Sequence, residues 1–237
     1  YASLYSKETE VAKPGYYSVK LDDYDIEVEL TASERVGMHR YTFPEAKEGR
    51  IIIDLSEAND DITVDSYIKQ INETTFEGYR FSKGWAEDQR EYFTLVLSKP
   101  VTNFVLYNGN EKVKDTKKQG NYIKGFLEFE TTKNEVIIVK MGLSPVSSKN
   151  ALENIEAEIP HWNFDKVAEQ ANVKWNKELS KITIETPDLS KKKIFYTAMF
   201  HTMIAPNLFN DVNGDYRGTD KKVYSNPGFD NYTLFSL

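Results

Sequence analysis

The chain has 237 residues, enough to bury a sizeable core as one large domain or one and a half. Hydrophobic residues at 40% and aromatics at 13% are globular values, and the charged 28% mixes both signs along the whole length, which excludes a disordered segment. A net charge of −7 gives no broad positive field, so nucleic acid and anionic membrane surfaces are not expected partners; the lack of cysteine excludes disulfides, thiolate zinc sites and a cysteine nucleophile.

From residue 16 to about residue 144 apolar positions recur with period two. Tyr24, Ile26, Val28 and Leu30 alternate with Asp25, Glu27, Glu29 and Thr31, which predicts a strand with the first set in a core and the second in water. Further strands are predicted at 50–55, 62–68, 75–81, 92–97, 103–107, 125–130 and 135–143, separated by turn-forming joints such as Asn108-Gly109-Asn110 and Gly120-Asn121. Many short antiparallel strands with no helical pattern between them predict a β-sandwich.

After Ser144-Pro145 the period becomes helical. Ser147 or Ser148 caps a helix carrying Ala151, Leu152, Ile155 and Ile159, and Pro160 ends it. Phe164, Val167, Ala168, Ala171, Trp175 and Leu179 mark a second helix with Asn163 or Asp165 as cap. A third runs from near Asp188 through Ile194, Phe195, Ala198, Phe200, His201, Met203 and Ile204 to Pro206; it is apolar on several faces, so it is expected to lie buried among helices that this chain does not supply. Tyr232 to Leu237 is apolar without a Gly or Pro stop and reads as an interrupted helix, and Tyr1 follows no leader, so both ends are expected to be truncations. No run approaches the roughly 18–20 apolar residues of a membrane span.

Candidate sites are few. Between Asp211 and Asp220, oxygen-bearing residues alternate as a calcium loop would require, but Lys222 stands where an EF-hand needs a bidentate Glu, so the segment is read as an Asx-rich turn. The carboxylate pairs Asp22/Asp23, Asp60/Asp61 and Glu156/Glu158 read as solvated charge, and His39, His161 and His201 have no second ligand at metal spacing. His201 is read first as a satisfied core histidine and second as a sugar contact. Trp85, after Gly84, offers a face on which a sugar ring could stack, although packing between sheets is the commoner use of a tryptophan.

Four stretches carry a family resemblance. They are Pro14-Gly15-Tyr16-Tyr17-Ser18-Val19 with Arg35-Val36-Gly37-Met38-His39-Arg40-Tyr41-Thr42-Phe43-Pro44; Gly78-Tyr79 with Gly84-Trp85 and Tyr92-Phe93; Phe195-Tyr196-Thr197-Ala198-Met199-Phe200-His201-Thr202-Met203 with Ala205-Pro206-Asn207-Leu208-Phe209; and Asp215-Tyr216-Arg217-Gly218 with Asp220 and the closing Tyr232-Thr233-Leu234-Phe235-Ser236-Leu237. Together they resemble glycoside hydrolase family 92 over nearly the whole chain. The resemblance implies a mainly β fold with α: a truncated antiparallel β-sandwich at 1–145, linker helices at 146–187 and the beginning of an (α/α)6 catalytic barrel at 188–237. It implies part of an inverting, calcium-dependent exo-α-mannosidase acting on mannose-containing glycans, with α-1,2 linkages favoured, exported to the periplasm or surface of a bacterium.

The catalytic acid and base and the calcium ligands are expected beyond Leu237, in the rest of the parent chain, so no residue here is given a catalytic or metal role. Asp211, Asp215, Arg217 and Asp220, in a loop expected to face the barrel mouth, join His201 and Trp85 as candidate substrate contacts. The competing reading is a stand-alone β-sandwich that binds carbohydrate through Trp85.

Overall fold

The computed structural model describes residues 2–58 and 60–234. Strands come first: β1 (Val11–Lys13), β2 (Tyr16–Leu21), β3 (Ile26–Ala32), β4 (Val36–Phe43), β5 (Ala46–Asp54), β6 (Ile62–Gln70) and β7 (Thr75–Lys83). They continue with β8 (Gln89–Leu97), β9 (Asn103–Asn108), β10 (Glu111–Val113), β11 (Lys117–Gly120), β12 (Ile123–Thr131) and β13 (Glu135–Ser144). Three helices follow, α1 (Ser148–Glu158), α2 (Phe164–Leu179) and α3 (Leu189–His201), then four short strands, β14 (Asn207–Leu208), β15 (Asp215–Arg217), β16 (Val223–Ser225) and β17 (Tyr232–Thr233).

The strands form a sandwich of unequal layers. Among the described residues, nine strands make one antiparallel sheet in the order β1-β2-β3-β4-β13-β8-β7-β6-β11, and four make the other in the order β10-β9-β12-β5. Phe43, Phe76, Leu97, Leu127, Phe129 and Ile137 fill the space between them, with Ile68, Phe93, Leu106 and Ile123 continuing that core to one side. Burial of each such side chain contributes roughly 1.5–3 kcal/mol. The outer face of the larger sheet carries its own cluster, in which Val36 and Met38 of β4 pack against Ile155 and Ile159 of α1 and Phe164 and Val167 of α2.

That second covered face corrects the expectation for β3. Glu29 and Thr31, read as water-facing, are only 8% and 6% exposed, because α2 lies over them. Glu29 remains ionisable there because Arg40 grips it through Nε at 2.5 Å and Nη2 at 2.7 Å, Tyr16 donates to it at 2.9 Å, and Arg40 bridges onward to Asp165 of α2 at 2.9 Å. The strand β4 was not among those predicted: its polar His39 and Arg40 interrupt a pattern in which Val36 and Met38 face the helices while Tyr41 and Phe43 face the core between the sheets.

The helix caps follow the sequence. Ser147 Oγ accepts from the Asn150 amide at 3.1 Å to start α1, Asn163 Oδ1 accepts from the Lys166 amide at 3.0 Å to start α2, and Asp188 caps α3. Pro160 follows the end of α1. One expectation for α3 fails. It stops at His201 instead of continuing to Pro206, because the chain turns there to bring Asn207 and Leu208 into pairing with Thr233 and Tyr232. The helix buries no residue, Ile194 being 67% exposed, as expected of an apolar helix whose partners this chain does not supply; among the described residues α2 is the helix packed against it, through Trp175 and Phe200 at 4.7 Å between ring centroids. The presumed closing helix is corrected as well, since Tyr232–Thr233 is a strand; Phe235, Ser236 and Leu237 lie outside the described residues.

Buried ionisable groups make stability depend on pH. The Arg40 and Arg80 guanidinium groups hold Glu29 and Asp61 below the ordinary carboxylate range, and burial depresses His39 below its usual 6.5. All three shifts are downward, so each contributes stability that is complete above the unfolded-state value and is lost as pH falls through the folded one. The urea midpoint is therefore expected to decline from about pH 6.5 as unfolded His39 takes up its proton, and more steeply below about pH 4 as the carboxylates do. A midpoint that stays flat from pH 7 to pH 5, unchanged by His39→Gln, would remove the histidine from this account.

Candidate functional site

The segment after α3 folds back onto the sandwich, and its anchor is Asp211. This residue is 1% exposed, and Ser144 Oγ and Asn150 Nδ2 donate to its Oδ2 at 2.7 and 2.9 Å while Asn154 Nδ2 donates to Oδ1 at 2.8 Å. Asn150 and Asn154 lie four residues apart on α1, which places both amides on one helix face. Asn154 also donates to the Leu143 carbonyl at 2.8 Å and accepts from the Val212 amide at 2.9 Å, so one side chain ties β13, α1 and the returning loop together. Burial pushes the Asp211 carboxyl above its ordinary value of 3.8, while the bonds from Asn154, Ser144 and Asn150 and the charge of Arg35 pull the other way.

Asp215 sits beside this network and accepts from Asn150 and Asn213 through Oδ2 at 3.0 and 3.1 Å. Gly214, at φ +87°, makes the turn between them, and a Cβ there would stand 2.5 Å from the Pro227 backbone. Arg217 is a clamp: Nε donates to the Pro145 carbonyl and Nη1 to the Lys221 carbonyl, both at 2.9 Å. A second clamp lies below, where Arg35 donates to the Asn210 carbonyl through Nε at 2.5 Å and to Glu158 through Nη1 at 2.6 Å.

The loop faces solvent at Val212 and Asn213 and again at its outer end, Thr219 and Asp220. Asp220 accepts from the Tyr224 hydroxyl at 2.7 Å and the Lys222 amide at 3.1 Å, and the Tyr224 bond holds its carboxyl below the usual range. Lys221 reaches across to Asp88 at 3.4 Å, in the β7–β8 connection that carries Trp85. Trp85 is 80% exposed and does not pack between the sheets. Arg217, Asp220 and Trp85 thus share one end of the molecule, Asp211 forms its buried base with Asp215 half-buried beside it, and His201 stands apart on α3, exposed and tilted against Phe200 at 5.8 Å. His201 is therefore not a core histidine, and Asp211 is not presented at the surface.

The arrangement does not fit a calcium ion. Both oxygens of Asp211 already accept from side chains, and among the described residues no three His, Asp or Glu groups converge on a point.

The sequence profile described as the Glycosyl hydrolase family 92 N-terminal domain matches residues 1–144, and the one described as the family's catalytic domain matches residues 150–237. The chain belongs to glycosyl hydrolase family 92. The family 92 alpha-mannosidase BT3965 from Bacteroides thetaiotaomicron is 33% identical and superposes with a TM-score of 0.92 over 98% of this chain and 32% of its own. That protein is also known in complex with mannoimidazole. The family 92 inverting mannosidase BT2199 from Bacteroides thetaiotaomicron VPI-5482, at 22% identity, shares the fold with a TM-score of 0.86 over 98% of this chain and 31% of its own. An uncharacterized secreted glycosidase of the fungus Arthroderma benhamiae is 24% identical over 88% of this chain and 30% of its own length. The chain therefore spans about a third of these relatives. As a family 92 chain matched by both domain profiles, it shows no sign of being a free-standing binding module.

Sequence reading named the loop carboxylates as candidate substrate contacts but missed the residues that bury and hold Asp211. Ser144, Asn150, Asn154 and Arg35 are the partners, and the available signal was a pair of asparagines four apart on an otherwise apolar face of α1.

Proposed function

We propose that the protein to which this chain belongs hydrolyses terminal α-linked mannose, with α-1,2 linkages as the substrate class, by a single inverting displacement that depends on calcium. The observation that carries this reading is the likeness to an alpha-mannosidase at 33% identity and a TM-score of 0.92, a protein also seen with mannoimidazole bound. Inversion needs one carboxylic acid to protonate the leaving oxygen and a carboxylate roughly 6.5–9.5 Å away to activate water. No side chain here is assigned either task, because Asp211 and Asp215 are engaged in the loop network. Calcium dependence rests in the same way on residues outside this chain.

What this chain contributes to that reaction is a wall. Trp85 offers an exposed aromatic face beside the hairpin of β15 and β16, fit to hold a sugar ring, with Asp220 and Arg217 alongside. The exported compartment, a bacterial periplasm or cell surface, is consistent with the secreted fungal relative and with no helix among the described residues being long and apolar enough to cross a membrane.

The full-length protein is expected to release mannose from α-1,2-mannobiose, the β anomer first, and to lose this activity to a chelator and regain it with calcium. Trp85→Ala is expected to lower kcat/KM roughly 2–10-fold, the worth of one aromatic contact. No release from any α-mannobiose would overturn the reading; the α anomer appearing first would overturn inversion alone.

A further inference from the structure

Where the sandwich meets the returning loop, β8 carries a carboxyl that takes no part in the proposed reaction, Glu91. Its Oε1 is closed to solvent and accepts no hydrogen bond among the described residues. The arginines around it are engaged elsewhere. Arg80, opposite it on β7, donates Nη1 and Nη2 to Asp61 at 2.9 and 2.7 Å and Nε to the Leu55 carbonyl at 3.3 Å. Arg90, the next residue along β8, points to the other face, where it lies over Phe81 and donates to Asp88 at 3.1 Å. Arg35, in the turn between β3 and β4, lines one cavity of about 260 Å³ with Glu91, Asn210 and Asp211. Its Nε is on the Asn210 carbonyl and its Nη1 on Glu158, while Glu34, also at that cavity, pairs with Lys174.

We infer that Glu91 is a proton-operated latch between the sandwich and the returning loop. With the acid neutral, Arg35 stays on the Asn210 carbonyl and the loop is docked; with the acid ionised, Arg35 is drawn into the cavity toward Glu91 and the loop is released. A buried carboxyl without donors is disfavoured as an anion. Burial accordingly pushes Glu91 above its ordinary 4.5, with Arg80 pulling it back and Asp61 adding to the rise. Because the folded value is raised, the stability that neutral Glu91 contributes is complete below the unfolded value and is lost as pH rises through the folded one. That is opposite in sense to Glu29, Asp61 and His39.

Arg35 is the cation that moves, because of what each arginine holds. Arg80 is gripped by both oxygens of a carboxylate, whereas the bond from Arg35 to Asn210 is to a neutral carbonyl, a weaker acceptor than an ionised Glu91. Asn210 passes the change on. Its Nδ2 donates to the Asp211 carbonyl at 3.2 Å and its Oδ1 accepts from the Asn231 amide at 2.8 Å, so freeing its backbone loosens the loop and the segment leading to β17. Arg35 and Glu91 lie in the stretch matched by the N-terminal domain profile and Asn210 in the stretch matched by the catalytic one, so the latch works across the two. Glu91 Oε1 is sealed by this chain's own residues, which makes the latch complete within it. Asp211 faces the same cavity with its carboxyl also pushed up and titrates in the same sense.

The test is amide hydrogen exchange of the full-length protein, read by mass spectrometry on peptides spanning 208–214 at about pH 4.5 and about pH 8, with rates corrected for the intrinsic effect of pH. Wild type is expected to lose protection there by about 5-fold or more at the higher pH, while peptides from β12 lose none. Glu91→Gln, which keeps the shape and cannot ionise, is expected to hold its protection within about twofold across the interval. Arg35→Met removes the clamp itself and is expected to exchange quickly at both pH values. No loss in wild type overturns the latch. So does a loss undiminished in Glu91→Gln, which would assign the pH dependence to Asp211, and so does a pH-dependent loss retained in Arg35→Met. Should Glu91→Gln fail to fold, Glu91→Met decides by the same criterion. The readout needs no substrate, so the result stands whether or not the enzyme releases mannose.

Discussion

Asp211→Ala is expected to cost about 3–5 kcal/mol, because it strands three buried donors at once. Ser144 Oγ, Asn150 Nδ2 and Asn154 Nδ2 converge on this carboxylate at 2.7 to 2.9 Å, and each buried donor left without an acceptor costs about 1–3 kcal/mol. Asn150 retains Asp215 and Asn154 retains the Leu143 carbonyl, so the loss is less than the simple sum. Asp211→Asn keeps the shape but replaces one acceptor by a donor, and is expected to cost less than half as much. Chemical denaturation measures the total. Amide exchange localises it, since the Asp211 and Val212 amides, bonded to the Asp215 carbonyl and Asn154 Oδ1, should lose protection first. An unchanged midpoint in Asp211→Ala would show that water satisfies these donors and that the loop is not held by them.

The same network shows what the sequence could and could not reveal. Strands with a clean alternation were legible: 62–68 lies within β6, 103–107 within β9, and 135–143 within β13, each a residue or two short at an end. Helix starts were legible because Ser147, Asn163 and Asp188 are short acceptors at the head of apolar patterns. Glu29 misled because alternation tells which residues share a face and not what covers it, and α2 arrives from more than a hundred residues away. Arg40 at position i+11 was the partner that makes burial of Glu29 tolerable, and nothing local marks it as such.

The candidate site was legible in kind and not in depth. Loop 211–220 was read as an Asx-rich turn, and Asp215 does bond within it, its amide donating to Asn213 Oδ1 at 2.9 Å. Burial of Asp211, by contrast, depends on α1 docking over the end of β13, a tertiary event that composition does not encode. Trp85 was assigned two alternatives, and its 80% exposure removes the one in which it packs between the sheets.

That docking is the subject of the second large effect expected. Gly142 lies on β13 beneath α1, and a Cβ there would stand 2.1 Å from the Ala151 carbonyl oxygen and 2.8 Å from Ile155 Cγ1. The first contact is with backbone, which cannot rotate away, so Gly142→Ala must lift the helix. Overpacking of this kind costs about 1–3 kcal/mol and here belongs at or above the upper end. A lifted helix also strains the Thr94 Oγ1 bond to the Ser148 carbonyl at 2.7 Å and the Asn154 bond to the Leu143 carbonyl. Because α1 carries Asn150 and Asn154, the displacement withdraws the donors that Asp211 needs, so the two substitutions act on one structure. In a double-mutant cycle Gly142→Ala and Asp211→Ala are expected to be less than additive by about 1 kcal/mol or more. Additivity within about 0.3 kcal/mol would mean that loop and helix dock independently, and that Asp211 reports on the loop alone.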